Sequence, residues 1–323
     1  MTRAVVFGYH NVGVRCLKVL LAHGLEVPLV ITHEDSPGET IWFASVGRAA
    51  AEYGIRTIAP QDPNAMDVIA GIAAARPDFI FSFYYRRMLA PAVLALARRG
   101  ALNMHGSLLP KYRGRTPVNW AIIHGETETG ATLHYMGDKP DNGDIVAQTA
   151  VPILPDDVAV DVFAKVTVAA ELTLHRVLPA LLAGTAPRIP QDPRQSSYFG
   201  GRKPEDGAID WSKSARAIHN LVRAVAPPYP GARTLIDGHP ARLLRTRVLE
   251  AAAPAIMTPA FDVDGGRITV RCGGGGILHV LELEIDGAIV GPAAFARWRA
   301  NRAAAVPGKI GAQEPAAAPD QAT

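Results

Sequence analysis

Cysteine is scarce in this 323-residue sequence. Cys16 and Cys272 are the only two, too few and too far apart for a disulfide framework or a thiolate metal set. None of the ten histidines stands in an H-E-x-x-H or comparable spacing, so no metal site is expected. Neither sign of charge dominates: 33 Lys+Arg against 30 Asp+Glu give +3, with no concentrated basic stripe of the kind a general nucleic-acid binder carries. No apolar run reads as long enough to span a bilayer, and the start, MTRAVVFGYH, has no signal-peptide core. The expectation is a soluble protein of a reducing compartment without membrane or nucleic-acid partners. Phosphate-binding glycines are missing as well. The first strand-to-helix turn runs Gly8-Tyr9-His10-Asn11-Val12-Gly13 instead of G-x-G-x-x-G, and no G-K-[ST] occurs. What remains, 48% hydrophobic and 20% charged residues, is an ordinary globular composition with length enough for two domains.

The first half alternates short β-branched or aromatic runs with amphipathic stretches of helical length. Strands are expected at residues 3–8, 26–32, 56–58, 78–83 and 101–104. Between them lie helices carrying Val14, Leu17, Leu20 and Leu21 behind an Asn11 cap, then Val46, Ala49, Ala50 and Tyr53, then Met66, Ile69 and Ile72. A turn is signalled by Asp35-Ser36-Pro37-Gly38. This alternation predicts an α/β fold with a doubly wound, mostly parallel sheet. Ligands of such sheets sit outside the carboxyl ends of the strands.

From Thr129 the pattern changes. Strands are expected at 130–136 and 144–152, a long helix at 159–182, and a Pro-, Gly- and Arg-rich linker at 185–207. A helix at 211–226 precedes short strands at 232–236, 241–248, 267–272 and 276–283, separated by glycine turns such as 273–276. That suits a small β-barrel, OB-like domain. The expected division is a catalytic domain at 1–202, the barrel-like domain at 203–305 and a disordered tail at 306–323.

The informative segment is Asn103-Met104-His105-Gly106-Ser107-Leu108-Leu109-Pro110-Lys111-Tyr112-Arg113-Gly114-Arg115. Two residues apart at a strand end, Asn103 and His105 project to the same side. An imidazole exchanges protons near neutral pH, and a carboxamide beside it can donate to a developing oxyanion. The rigid loop that follows, rich in Gly, Pro and Arg, suits an anionic partner. A capped strand end explains either residue alone but explains the pair and its loop poorly.

N-x-H-x-S-L-L-P-x-x-R-G resembles the signature of the tetrahydrofolate-dependent formyltransferases, and Asp141-Asn142-Gly143-Asp144 resembles that family's D-x-G-D loop. The resemblance covers nearly the whole chain. It implies an N-formyltransferase that uses 10-formyltetrahydrofolate and no metal. Asn103 would stabilise the oxyanion and His105 would act as acid/base, with Asp141 ionised beside it and favouring imidazolium. It also implies folate contacts from Arg87, Met88, Leu89, Arg115 and the loop Gly137, Asp138, Lys139, Pro140 and Asp141, with Met88 and Leu89 as an apolar wall. The first turn, Phe81-Ser82-Phe83-Tyr84-Tyr85-Arg86 and His124-Gly125-Glu126-Thr127-Glu128-Thr129-Gly130 are similar to the UDP-4-amino-4-deoxy-L-arabinose formyltransferase domain, here free-standing. The implied acceptor is that sugar amine, used to mask lipid A phosphates in resistance to cationic peptides. A separate protein would then supply the UDP-glucuronate decarboxylating dehydrogenase. Lys111 and Arg113 are candidates for the diphosphate, or equally for loop solvation or salt bridging. Methionyl-tRNA, another nucleotide-linked aminosugar and a non-catalytic folate or nucleotide-sugar binding module are the competing readings. The first lacks its lysine-rich insert here, and the last does not need the Asn103, His105 and Asp141 set.

Overall fold

The computed structural model describes residues 1–36, 38 and 40–305. The expected turn at 35–38 therefore includes one position, Pro37, outside the described residues, and the tail at 306–323 lies outside them entirely. The amino-terminal half contains β1 (Arg3–Gly8), α1 (His10–Ala22), β2 (Glu26–Ile31), α2 (Val46–Glu52), β3 (Thr57–Ile58), α3 (Met66–Ala75), β4 (Phe79–Phe83), α4 (Pro91–Leu94) and β5 (Gly100–His105). There follow β6 (Arg113–Gly114), α5 (Pro117–Ile123), β7 (Glu128–Tyr135), β8 (Ile145–Pro152) and α6 (Ala159–Ala183). Seven strands make one sheet in the order β3-β2-β1-β4-β5-β7-β8; the first five are parallel, and β7 and β8 are antiparallel additions. The doubly wound, mostly parallel sheet is thus present.

Alternation along the strands sorts the core into two layers. Phe79, Phe81 and Phe83 pack on one face with Leu17, Leu20 and the apolar side of α6, while Val5, Phe7 and Ile80 pack on the other with Val68 and Ile72 of α3. Each large side chain so buried contributes roughly 2–3 kcal/mol. Because β1 lies between β2 and β4, the chain's crossovers part there. The crevice of the sheet opens beyond the carboxyl ends of β1 and β4, one strand from β5.

Several local expectations need correction. Asn11 does not cap α1: the helix begins at His10, whose ring Nδ1 accepts the Asn11 N–H at 2.9 Å. That bond serves a first-turn donor from inside the helix and frees the Asn11 carboxamide oxygen to take the Ala44 N–H at 2.8 Å. Among the described residues one helix, α6, is long and apolar enough to cross a membrane by length and composition. Here its apolar side, including Val162, Val166, Ala170, Leu174 and Leu178, is buried against the sheet and α1, so it serves as a core helix.

The second half contains β9 (Tyr198–Phe199), α7 (Ala215–Ala224), β10 (Ala232–Ile236), β11 (His239–Glu250), β12 (Ala260–Asp264), β13 (Arg267–Arg271), β14 (Ile277–Ile285), β15 (Ala288–Ile289) and α8 (Pro292–Ala305). The small β domain is an antiparallel sheet in the order β10-β11-β14-β13-β12, with β15 on β14. Helix α7 is shorter than expected because Asp210 draws the Ser212 N–H and hydroxyl into a turn, after which Ser214 caps the helix. The 273–276 glycines form more than a turn: Gly273 and Gly274 donate to the Trp211 and Lys213 carbonyls, seating that same turn. Strand β12 and helix α8 were not expected. Helix α8 has no apolar face beyond a few residues, yet Phe295 on it is fully buried. The halves are tied by buried polar contacts: the Asn119 amide donates to the Ala224 carbonyl at 2.8 Å, and Arg223 donates to the Leu154 and Asp157 carbonyls.

Candidate functional site

Strand β5 presents Asn103 and His105 on one face and buries Met104 on the other. Its antiparallel neighbour β7 sets His134 directly opposite Asn103 and Thr132 opposite His105. The loop after β7 then returns Asp141, at φ +52°, over the same spot. The expected trio therefore converges. Asp141 Oδ1 is 3.3 Å from Asn103 Nδ2 and 3.5 Å from His105 Nδ1, and Oδ2 accepts the Gly114 N–H at 2.8 Å. Burial pushes the Asp141 carboxyl up, but the adjacent His105 and His134 rings and the Gly114 N–H outweigh it and hold the group well below the ordinary carboxylate range. It is an anion at any working pH.

The His105 ring is placed by its other nitrogen. Nε2 lies 2.7 Å from the Tyr112 carbonyl oxygen, which can only accept, so Nε2 carries a hydrogen. Nδ1 is left facing Asp141 and the open site. Sequence reading missed two partners. His134, buried to 1% exposure, sits with Nε2 3.2 Å from Asn103 Nδ2 and 3.4 Å from Asp141 Oδ1. Gln191, from the segment expected to be a mere linker, donates to the Asp141 and Gly143 carbonyls at 2.8 and 2.7 Å. Only the pairing of distant segments reveals either, although the alternation of Thr132 and His134 marks them as one strand face.

The remaining expected residues divide. Arg113 does not point its guanidinium at solvent: Nη2 and Nε donate to Gln191 Oε1 at 2.7 and 3.1 Å, so the arginine braces the bracket on the Asp141 loop. Lys111 is exposed, 3.7 Å from Glu126. Leu89 is buried in the α3-side core, which leaves Met88, 58% exposed, as the apolar surface of that pair. Arg87 donates to the Pro60 carbonyl at 3.3 Å. Arg115 is exposed with its backbone on Phe199, and Gly137, Asp138, Lys139 and Pro140 form an exposed rim leading to Asp141.

An aromatic crevice, also unforeseen, lies at the parting of the crossovers. His10 stacks on Phe43 at 3.8 Å between ring centroids and meets Trp42 and Phe163 edge-on. Trp42 also contacts Tyr229 of the second half, while Arg86 lies over the Tyr9 ring. The Tyr84 hydroxyl, against Gly106, is buried without a hydrogen-bond partner among the described residues. Burial, with Arg86 nearby, pushes His10 down from 6.5 to about 3. Between those two pH values the unfolded chain binds a proton that the folded chain does not, so stability falls as pH drops through that window. Wild type is expected to lose about 2 kcal/mol more than His10→Asn between pH 7 and pH 5, and asparagine also tolerates the positive φ. Urea unfolding at both pH values checks this; equal losses would refute it.

With this geometry in place, comparison with known proteins is informative. Residues 4–178 match the family model described as formyl transferase, and residues 202–299 match formyl transferase, C-terminal domain. Among solved structures, the fold is similar to an N-formyltransferase from Helicobacter canadensis in complex with folinic acid and dTDP-3-aminofucose, at 21% identity, TM-score 0.68, covering 87% of this chain and 99% of that one. It is similar to the sugar 3N-formyl transferase WlaRD, determined in the presence of dTDP and 5-N-formyl-THF, at 19% identity, TM-score 0.68, covering 89% and 99%. A 4-N formyltransferase from Francisella tularensis aligns at 20% identity, TM-score 0.60, covering 74% and 95%. These three are likenesses of fold.

Proposed function

This chain belongs to the formyl transferase family, and from that premise we propose that it transfers the formyl group of 10-formyltetrahydrofolate to the amine of a nucleotide-linked aminosugar, specifically UDP-4-amino-4-deoxy-L-arabinose. The observation that carries the reading is the convergence of Asn103, His105 and Asp141 at the carboxyl edge of the sheet. The acceptor amine attacks the formyl carbon, forming a C–N bond and a tetrahedral oxyanion that Asn103 receives with an amide N–H. His105 takes the proton from the attacking nitrogen at Nδ1, since Nε2–H is held by the Tyr112 carbonyl. It returns that proton to N10 of the folate as the old C–N bond breaks. Asp141 balances the imidazolium while it exists, and no residue forms a covalent intermediate.

The Met88 surface, Arg115 and the 137–140 rim are the folate contacts on this reading. The aromatic crevice, with exposed Arg86 at its mouth, suits a base, a sugar and a diphosphate. The Helicobacter canadensis protein's combination of folinic acid with a nucleotide aminosugar supports the pairing of substrates, and the Francisella tularensis protein's 4-N designation supports the position formylated. A separate oxidative decarboxylation would precede this step in the cytoplasm, and the product would serve the masking of lipid A phosphates.

The test is a formylation assay with 10-formyltetrahydrofolate against UDP-4-amino-4-deoxy-L-arabinose, a dTDP-3-aminosugar and charged initiator tRNA. The UDP sugar is expected to be preferred, with turnover changing little between roughly 50 and 200 mM salt, where a tRNA partner would lose orders of magnitude in affinity. Preference for tRNA, or no transfer to any nucleotide aminosugar, would overturn the reading.

A further inference from the structure

We propose that His134 is a positioning residue: as a neutral acceptor it turns the Asn103 carboxamide so that one N–H is held between His134 and Asp141 and the other is presented to the reacting oxygen. The inference rests on the formyl-transfer reading for its kinetic consequence, but its geometry stands apart from that reading.

The first step is the tautomer. His134 Nδ1 is 2.8 Å from the Tyr135 carbonyl oxygen, a pure acceptor, so Nδ1 carries a hydrogen. Asp141 Oδ1 can only accept, so the Asn103 atom 3.3 Å from it is the amide nitrogen, and that same nitrogen lies 3.2 Å from His134 Nε2. The ring that meets this donor with a lone pair on Nε2 is the neutral one with its single hydrogen on Nδ1.

The second step is the amide. Asp141 Oδ1 thus settles an O/N assignment that hydrogen-bond partners alone decide, and Nε2 of His134 is the second acceptor facing the same nitrogen. The three separations, 3.2, 3.3 and 3.4 Å, make a nearly equilateral triangle. Its angle at Nδ2 is close to 60°, about half the roughly 120° between the two N–H bonds of an sp² amide. One N–H therefore lies between the two acceptors as a shared, three-centre donor and relieves their lone-pair repulsion. The other points away from both. Without His134, the carboxamide has only Asp141 to hold it and can rotate its oxygen toward the site, where it would repel an oxyanion.

The test uses the full chain. His134→Phe fills the space without an acceptor, and His134→Gln restores an oxygen acceptor near the Nε2 position. His134→Phe is expected to lower kcat roughly 10- to 100-fold with both KM values within about threefold of wild type, and His134→Gln to recover most of the loss. Wild-type kcat in a folded His134→Phe variant would overturn the proposal, as would an equal loss in both variants. Nitrogen-15 NMR of the wild-type protein gives an independent readout, whether or not His134→Phe folds. An unprotonated Nε2 with a scalar coupling across the hydrogen bond to Asn103 Nδ2 is expected, and a protonated Nε2 at neutral pH would sink the inference. If wild type transfers no formyl group, the functional reading fails while the NMR result still decides the role of His134.

Discussion

A His105→Ala enzyme is expected to turn over about 10²- to 10⁴-fold more slowly than wild type, and Asn103→Ala about 10²- to 10³-fold more slowly, with folding intact. The histidine loss is the larger because two proton transfers pass through Nδ1, the one ring nitrogen that the Tyr112 carbonyl leaves available. The double variant should be little worse than His105→Ala, since the residues act on one transition state and their effects do not add. Steady-state kinetics with 10-formyltetrahydrofolate and the UDP aminosugar, alongside thermal unfolding, measures this. Near-normal kcat in either folded single variant would dismantle the assigned roles.

Gly114→Val carries the second large effect. Gly114 sits at φ +97°, a conformation that valine resists, and a Cβ there would overlap the Phe199 carbonyl across the β6–β9 pairing. Strain and overpacking together cost roughly 2–5 kcal/mol. The same backbone N–H holds Asp141 Oδ2, so the carboxylate loses its anchor when the strand shifts. We expect a large drop in unfolding free energy and more than a tenfold drop in kcat. Gly200→Ala, where a Cβ meets nothing within 4 Å, is expected to change neither. Wild-type stability and turnover in Gly114→Val would refute the argument.

The contrast between these residues shows what can be read without coordinates. Asn103 and His105 were legible because strand alternation is local: two positions apart at a strand end means one face. Asp141 was legible only through its resemblance to a known loop, since nothing in its spacing from His105 says that the chain returns there. His134 was not legible, because its place depends on β7 lying antiparallel to β5 in a particular register. Neither was the partner of Arg113: a basic residue in a loop reads as free until the Gln191 carboxamide is placed beneath it. Leu89 packs in the α3-side core, a place that its apolarity alone does not distinguish from a ligand wall. The strands and helices of the first half follow from hydrophobic period. Helix α8 does not, because it is held by Phe295, by Trp298 beside it and by the polar contacts of Arg299 and Arg302 rather than by a continuous stripe.

Gln191 has a practical consequence for anyone recombining these enzymes. The formyl transferase match ends at residue 178, ahead of the Pro-rich connector, yet that connector supplies the two hydrogen bonds on the Asp141 and Gly143 carbonyls and, at Phe199, the rail on which β6 rests. A chimaera joined upstream of Gln191 would import a foreign clamp for its own carboxylate and could be inert with every conventional site residue intact. The seam belongs after Phe199, so that catalytic machinery and connector travel as one cassette.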